Sequence, residues 1–108
     1  MDRRVRIGVV GVDSGQLVIC DPMYVAHPGG RGKELNDYEL LVHRFAEKRD
    51  GDAEKFLQLR YDLGHDGLGV VFKSGIGDGE YEVWATIGDV PPWGERIKKV
   101  EVILIPDG

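Results

Sequence analysis

Two turns that combine glycine with acidic residues, each set between apolar segments, constrain the fold of this chain more than any other feature. The first turn is Asp13-Ser14-Gly15, between residues 4–12 and 16–20. The second is the glycine-rich segment 75–79, which contains Asp78 and precedes the apolar residues 81–87. Asp and Ser bond to nearby backbone and Gly accepts positive φ, so both segments favour chain reversal. The first turn predicts a β-hairpin of residues 4–12 and 16–20.

The remaining periodicity predicts a mainly β fold with one helix. Strand-like segments are 4–12, 16–20, 56–61, 68–73, 81–87 and 96–105. Four apolar residues from Tyr38 to Phe45 instead follow helical spacing, and Asn36 or Asp37 can cap a helix over about 36–48. Residues 22–35 predict an irregular connection. We therefore expect an α+β, mainly β fold, as an antiparallel bent sheet or a small barrel-like sandwich of about six strands.

The last predicted strand differs from the others because residues 100–105 are apolar on both faces. Such a strand is either central in its sheet or covered by a partner subunit. Val102 and Leu104 are therefore candidate interface residues for a homodimer formed through this strand. Trp93 lies in a proline- and glycine-rich loop, and an exposed tryptophan there would indicate a partner surface.

Composition bounds the class of protein. The 108 residues, 42% hydrophobic and 31% charged, predict one folded domain over 1–108. No apolar run approaches the roughly 18 residues of a membrane span, and we expect no signal peptide. The single Cys20 favours a reducing cytoplasm. A net charge of −5 disfavours nucleic acid as a partner. The composition is thermophile-like, because it has few amide side chains and many charged ones.

Residue types that carry catalysis or bind cofactors are scarce. Three scattered histidines and one cysteine do not make a structural zinc site. Cys20 is better explained as a small buried residue than as a nucleophile. Ser14 lies in a turn between strands, which is unlike the strand-to-helix elbow of hydrolases. The glycines at 8–11 and 67–69 precede strands, so they predict bulges or close-packing points rather than a dinucleotide site. We expect no cofactor, and the balance is against an enzyme.

The acidic turns leave one alternative open, a ligand or metal site. Carboxylates gathered at strand ends would coordinate a cation, or would act as an acid–base pair in a hydrolase if one were desolvated. Singly, each acid is also explained by hydrogen bonds within its own turn. The candidate ligand-binding residues are Asp13, Ser14, Asp21, Tyr24, Asp78, Glu80 and Tyr81.

The two turns also carry a resemblance. The segments 13–24 (Asp-Ser-Gly…Asp-Pro-x-Tyr) and 77–81 (Gly-Asp-Gly-x-Tyr) resemble motifs of a group of small bacterial and phage-borne proteins of unknown function. The chain departs from that pattern at Met23, where cysteine is expected, and at Glu82, where proline is expected. The Met23 departure argues against an essential thiol. The resemblance implies no activity, but it implies that the two motifs lie together, on adjacent strands.

These observations predict a small cytoplasmic binding or regulatory module that acts through protein contacts, with the homodimer as its simplest form. Binding of a ligand or metal by the acidic turns is the alternative. The missing catalytic constellation and the two-sided apolar segment 100–105 favour the first.

Overall fold

The computed structural model describes residues 1–26, 32–47 and 55–106, and within them the protein is mainly β, as predicted. The described part contains six strands and three short helices. In chain order they are β1 (Arg3–Val12), β2 (Gln16–Cys20), α1 (Pro22–Ala26), α2 (Lys33–Asn36), α3 (Tyr38–Glu47), β3 (Phe56–Arg60), β4 (Asp66–Lys73), β5 (Gly79–Asp89) and β6 (Glu95–Val102).

The chain divides into two compact units, each with its own sheet. The first unit comprises Met1–Gly15 and Ser74–Gly108, and the second, Gln16–Lys73, is inserted between them in the sequence. The first contains a three-stranded antiparallel sheet in the order β1-β5-β6, and the second contains one in the order β2-β4-β3. The described strands therefore form two sheets and do not close into a barrel. A single domain over 1–108 stays a prediction.

The predicted hairpin of β1 and β2 is wrong. The turn exists, with Gly15 at a φ of +69°, but β1 pairs with β5 and β2 pairs with β4. The physical reason is the length of the competing ladders. β1 has 10 residues and β5 has 11, whereas β2 has only 5, so pairing with β5 satisfies more of the β1 backbone.

In the sheet of the first unit, one face is mainly apolar and the other is mainly charged. Regular alternation along β5 places Val83, Ala85 and Ile87 on one face and Glu82, Trp84 and Thr86 on the other. The register extends this division to both neighbours. We call the first side the apolar face; its members are Val5, Val83, Ala85, Ile87, Ile97, Val100 and Val102.

Two irregularities preserve this division. The pairing of β1 with β5 shifts between Arg6 and Gly8, and the pairing of β6 with β5 skips Lys98, which is an extra residue in a β-bulge. Because a bulge inserts one extra residue, the side chains beyond it point to the opposite face from the one that regular alternation would give. Ile97 pairs with Ile87 and Val100 with Ala85, so two residues three apart in the sequence share the apolar face.

The second unit has a compact apolar core beneath its helices. Four residues of β3 and β4 are fully buried, and partly buried side chains from the helices and from Tyr61 pack against them. The buried four are Leu57, Leu59, Leu68 and Val71. The strand predicted over 56–61 is thus confirmed as β3 over 56–60, and its side chains alternate, since Phe56 is exposed and Leu57 is buried.

The predicted helix is confirmed as α3, within the expected 36–48. Asp37 provides its cap, because its Oδ1 accepts the N–H of Leu40 at 3.1 Å. Of the predicted apolar stripe, Leu41 and Phe45 pack on the core, whereas Tyr38 and Val42 are exposed. Residue 48 lies outside the described residues.

The connection predicted as irregular over 22–35 contains two short helices, α1 and α2, while residues 27–31 lie outside the described part. α1 begins after Asp21, whose Oδ1 accepts the N–H of Met23 at 2.9 Å. No helix in the described ranges is long and apolar enough to cross a membrane.

The last strand also differs from its prediction. β6 ends at Val102 rather than at residue 105, and it lies at the edge of its sheet rather than at the centre. The sequence is misleading here because residues 103–105 leave the strand, although the N–H of Ile103 still bonds the Glu82 carbonyl at 3.0 Å.

Candidate functional site

The two acidic turns lie at the same end of one pair of strands. Val12, the last residue of β1, pairs with Gly79, the first residue of β5. The N–H of Ser74 bonds the Gly15 carbonyl at 3.0 Å. An added Cβ at Gly15 would lie 4.0 Å from Asp78 Oδ1, so the two turns are close neighbours. The turns at 13–15 and 75–79 therefore lie together at the ends of the adjacent strands β1 and β5.

Internal hydrogen bonds hold the second turn. Ser74 Oγ and the Tyr81 hydroxyl each donate to the Gly77 carbonyl at 2.5 Å. Ser74 and Tyr81 are buried. The turn alternates glycine with other residues because its backbone has positive φ at positions 75, 77 and 79. The Tyr81 hydroxyl thus has a structural bond within the turn, while Asp13, Ser14, Asp78 and Glu80 are exposed beside it.

Asp21 and Tyr24 belong to the second unit, and both have local structural roles there. Asp21 accepts the α1 backbone bond described above, and the Tyr24 ring meets Tyr61 edge-on with 5.4 Å between centroids. Within residues 1–26, 32–47 and 55–106, no three His, Cys, Asp or Glu side chains are grouped to hold a metal ion. A ligand site at the acidic turns stays a prediction.

Cys20 has the properties of an unreactive thiol. It is half-buried at the end of β2. Burial raises the pKa of its thiol, and the negative charge of Asp21 raises it further. Since the thiolate is the nucleophilic form, the raised pKa disfavours covalent chemistry at neutral pH.

The predicted interface residues have different exposures. Trp93 is 65% exposed in the loop between β5 and β6, whose backbone is closed by bonds from the Val90 and Trp93 N–H groups. Val102 and Leu104 are only half-buried. Leu104 lies beside the second acidic turn, since its Cβ is 3.3 Å from the position of an added Cβ at Gly75. Trp93 is thus the most accessible of the three.

The two most exposed members of the apolar face are Ile97, which sequence reasoning missed, and Val100, which it named only as the start of the apolar segment 100–105. Ile97 is 62% exposed and Val100 is 55% exposed, and the bulge at Lys98 places both on that face. Strict alternation would put residues three apart on opposite faces, so the sequence pattern gives no sign that they lie together. Only the register shift reveals it.

The opposite face is charged and cross-linked by its own side chains. The Arg4 guanidinium lies 4.3 Å from the centre of the Trp84 ring and 3.3 Å from Glu101 Oε1. Arg6 lies 3.8 Å from Glu82, which also accepts the Trp84 indole N–H at 3.0 Å. This face has polar partners within the chain, whereas the exposed members of the apolar face have apolar neighbours and solvent.

No protein-family model, no curated protein and no solved structure matches the chain.

Proposed function

We propose that this protein is a small cytoplasmic, non-enzymatic binding module that acts through protein contacts, with a second copy of the chain as the partner. The observation that carries the proposal is the exposure of Ile97 and Val100 on one face of the β1-β5-β6 sheet. When a partner covers apolar surface of this kind, its removal from water lowers the free energy of the complex.

A second copy fits this face because the face carries charges of both signs at one end. Arg3, which pairs with Ile87 beside Ile97, forms an ion pair of 2.9 Å with Glu95 at the exposed surface. In a two-fold arrangement each copy presents the same patch, so apolar side chains meet apolar side chains. At the edge of the contact each copy also presents one positive and one negative side chain, Arg3 and Glu95. Two such sheet faces pack about 10 Å apart.

The proposed contact uses the face of β6 and not its edge. Edge strands avoid pairing with other strands when they carry lysines and bulges. β6 has both, because Lys98 is the bulged residue and Lys99 follows it. Lys98 is also held by an ion pair of 3.1 Å with Asp2. These features disfavour a continuous sheet across two chains and favour packing of the apolar faces.

The sheet provides a matched pair of variants to test this. Val100→Asp places a charge on the apolar face, and Val9→Asp makes the same change on the opposite face, where Val9 pairs with Glu82. The two valines have similar exposure, 55% and 50%. Molar mass should be measured by light scattering over a range of concentrations, with circular dichroism to show that each variant is folded.

The expected result is a concentration-dependent dimer for the wild type and for Val9→Asp, and a monomer for Val100→Asp. A wild type that stays monomeric at high concentration contradicts the proposal, and so does a Val100→Asp variant that dimerises as well as the wild type.

A further inference from the structure

The second unit has an open cleft of about 480 Å³ beside α2 and the end of β3. This volume is within the range of sites for small organic ligands. Its walls combine two cations, two acids and two apolar side chains. They are Lys33, Arg60, Glu34, Asp62, Leu40 and Tyr61.

The acids of the cleft are already engaged within the chain. Glu34 Oε2 forms a largely buried ion pair with Arg44, and its Oε1 accepts the N–H of Arg60 at 2.8 Å. Asp62 Oδ1 accepts the N–H of Lys33 at 3.3 Å. These bonds fix the two carboxylates in position, and the Arg44 guanidinium offsets the charge of Glu34.

The charged groups of the two cations, by contrast, can still bind an anion. Among the described residues, neither the Lys33 ammonium nor the Arg60 guanidinium has an ion-pair partner. Because Arg44 offsets the charge of Glu34, the two cations of the cleft stand against the single carboxylate of Asp62. An arginine fork and a lysine point charge are the groups that proteins use to hold phosphate oxygens.

The apolar part of the cleft is held in place by aromatic neighbours. The Tyr61 ring stacks on His65 with 4.5 Å between centroids and meets Tyr24 edge-on. Its hydroxyl donates to the Gly67 carbonyl at 3.2 Å. A ring fixed in this way offers a preformed surface to a flat apolar group, and Leu40 adds an aliphatic contact.

We propose that this cleft binds a small organic phosphate, with Lys33 and Arg60 holding the phosphate and Tyr61 and Leu40 contacting its apolar portion. The site lies wholly in the second unit, so it is independent of the dimer proposed above.

The probe is phenyl phosphate, titrated by calorimetry at low ionic strength, with inorganic phosphate, phenol and benzoate as comparison probes. Lys33→Gln and Arg60→Gln each remove one of the two positive charges of the cleft. Lys99→Gln makes the same change on the sheet of the first unit and is the control. Thermal unfolding without probe shows that each variant is folded.

The wild type should bind phenyl phosphate more tightly than inorganic phosphate or phenol, since both parts of the probe have partners. Loss of one charged contact should weaken binding roughly tenfold or more in Lys33→Gln and in Arg60→Gln, while Lys99→Gln binds as the wild type does. No binding by the folded wild type, equal weakening in Lys99→Gln, or equally tight binding of benzoate would overturn the assignment.

Discussion

Ser74 and Tyr81 donate hydrogen bonds to one acceptor, the carbonyl oxygen of Gly77, each at 2.5 Å. The two donors approach from opposite ends of the second acidic turn, which they fix in place. One carbonyl has two lone pairs, so both bonds can form together. The turn that the sequence singled out for its acids is thus held by a serine and a tyrosine.

We expect the two donors to compensate for each other. Ser74→Ala or Tyr81→Phe alone should lower the free energy of unfolding by about 0.5–1.5 kcal/mol, because the carbonyl keeps one partner. The double variant should lose more than the sum of the two, since the carbonyl then has no donor. Urea denaturation of the four proteins measures the coupling. Strict additivity would show that the two bonds act independently.

Breaking the ion pair of Glu34 with Arg44 should lower the free energy of unfolding far more than breaking the exposed pair of Arg3 with Glu95. Glu34 is largely buried and also accepts the Arg60 N–H, so Glu34→Gln should cost about 1–3 kcal/mol. Glu95→Gln removes an equal charge from an exposed pair and should cost less than about 0.5 kcal/mol. The denaturant midpoints of the two variants and the wild type measure these losses of stability. Equal losses would contradict this ranking.

Two glycines in strands should respond oppositely to alanine. A Cβ at Gly69 would lie 2.8 Å from the Ile19 carbonyl oxygen and 3.1 Å from Cys20 Cβ, and neither can rotate away. Gly69→Ala should therefore cost about 1–3 kcal/mol. Gly8 has open space around its Cβ position, so Gly8→Ala should be neutral or stabilising by up to about 1 kcal/mol. Thermal unfolding of the two variants and the wild type measures these changes in stability. A destabilised Gly8→Ala would contradict the prediction.

Tyr61 should titrate late. Its pKa is raised above the ordinary value, first by a side-chain hydrogen bond with Tyr24, then by desolvation and by the charges of Tyr24 and Asp21. The folded state favours the neutral phenol, so this stabilisation is present below about pH 10 and is lost as the pH rises through the raised pKa. NMR of labelled tyrosine should show a lower Tyr61 pKa in Tyr24→Phe. Tyr38→Phe, at an exposed tyrosine, should leave it unchanged; a shift of equal size there would refute the assigned cause.

Cys20 should alkylate slowly. Burial and Asp21 raise its pKa, so at neutral pH its thiolate fraction is below that of a free thiol. Its reaction with iodoacetamide should be slower than that of N-acetylcysteine. Asp21→Asn removes the charge but keeps a side-chain oxygen for the Met23 N–H, so it should raise the rate without losing the start of α1. A wild-type rate equal to that of N-acetylcysteine would contradict the raised pKa.

The local features of the fold could be predicted, because they depend on residues that are neighbours in the sequence. The helix α3, with Asn36 or Asp37 as its cap, and the turn at Gly15 both follow from local hydrogen bonding and spacing. The strand β3 follows from its composition, but which of its faces is buried does not.

Strand pairing and the sharing of a face by side chains could not be predicted, because they depend on contacts between distant segments of the folded chain. β1 pairs with β5 instead of β2 because distant strands compete for the same backbone groups, and the longer ladder wins. The bulge at Lys98 then brings Ile97 and Val100 to one face, although their spacing contradicts strand alternation. The cleft around Lys33 and Arg60 likewise depends on packing between segments far apart in the sequence, so no local pattern could reveal it.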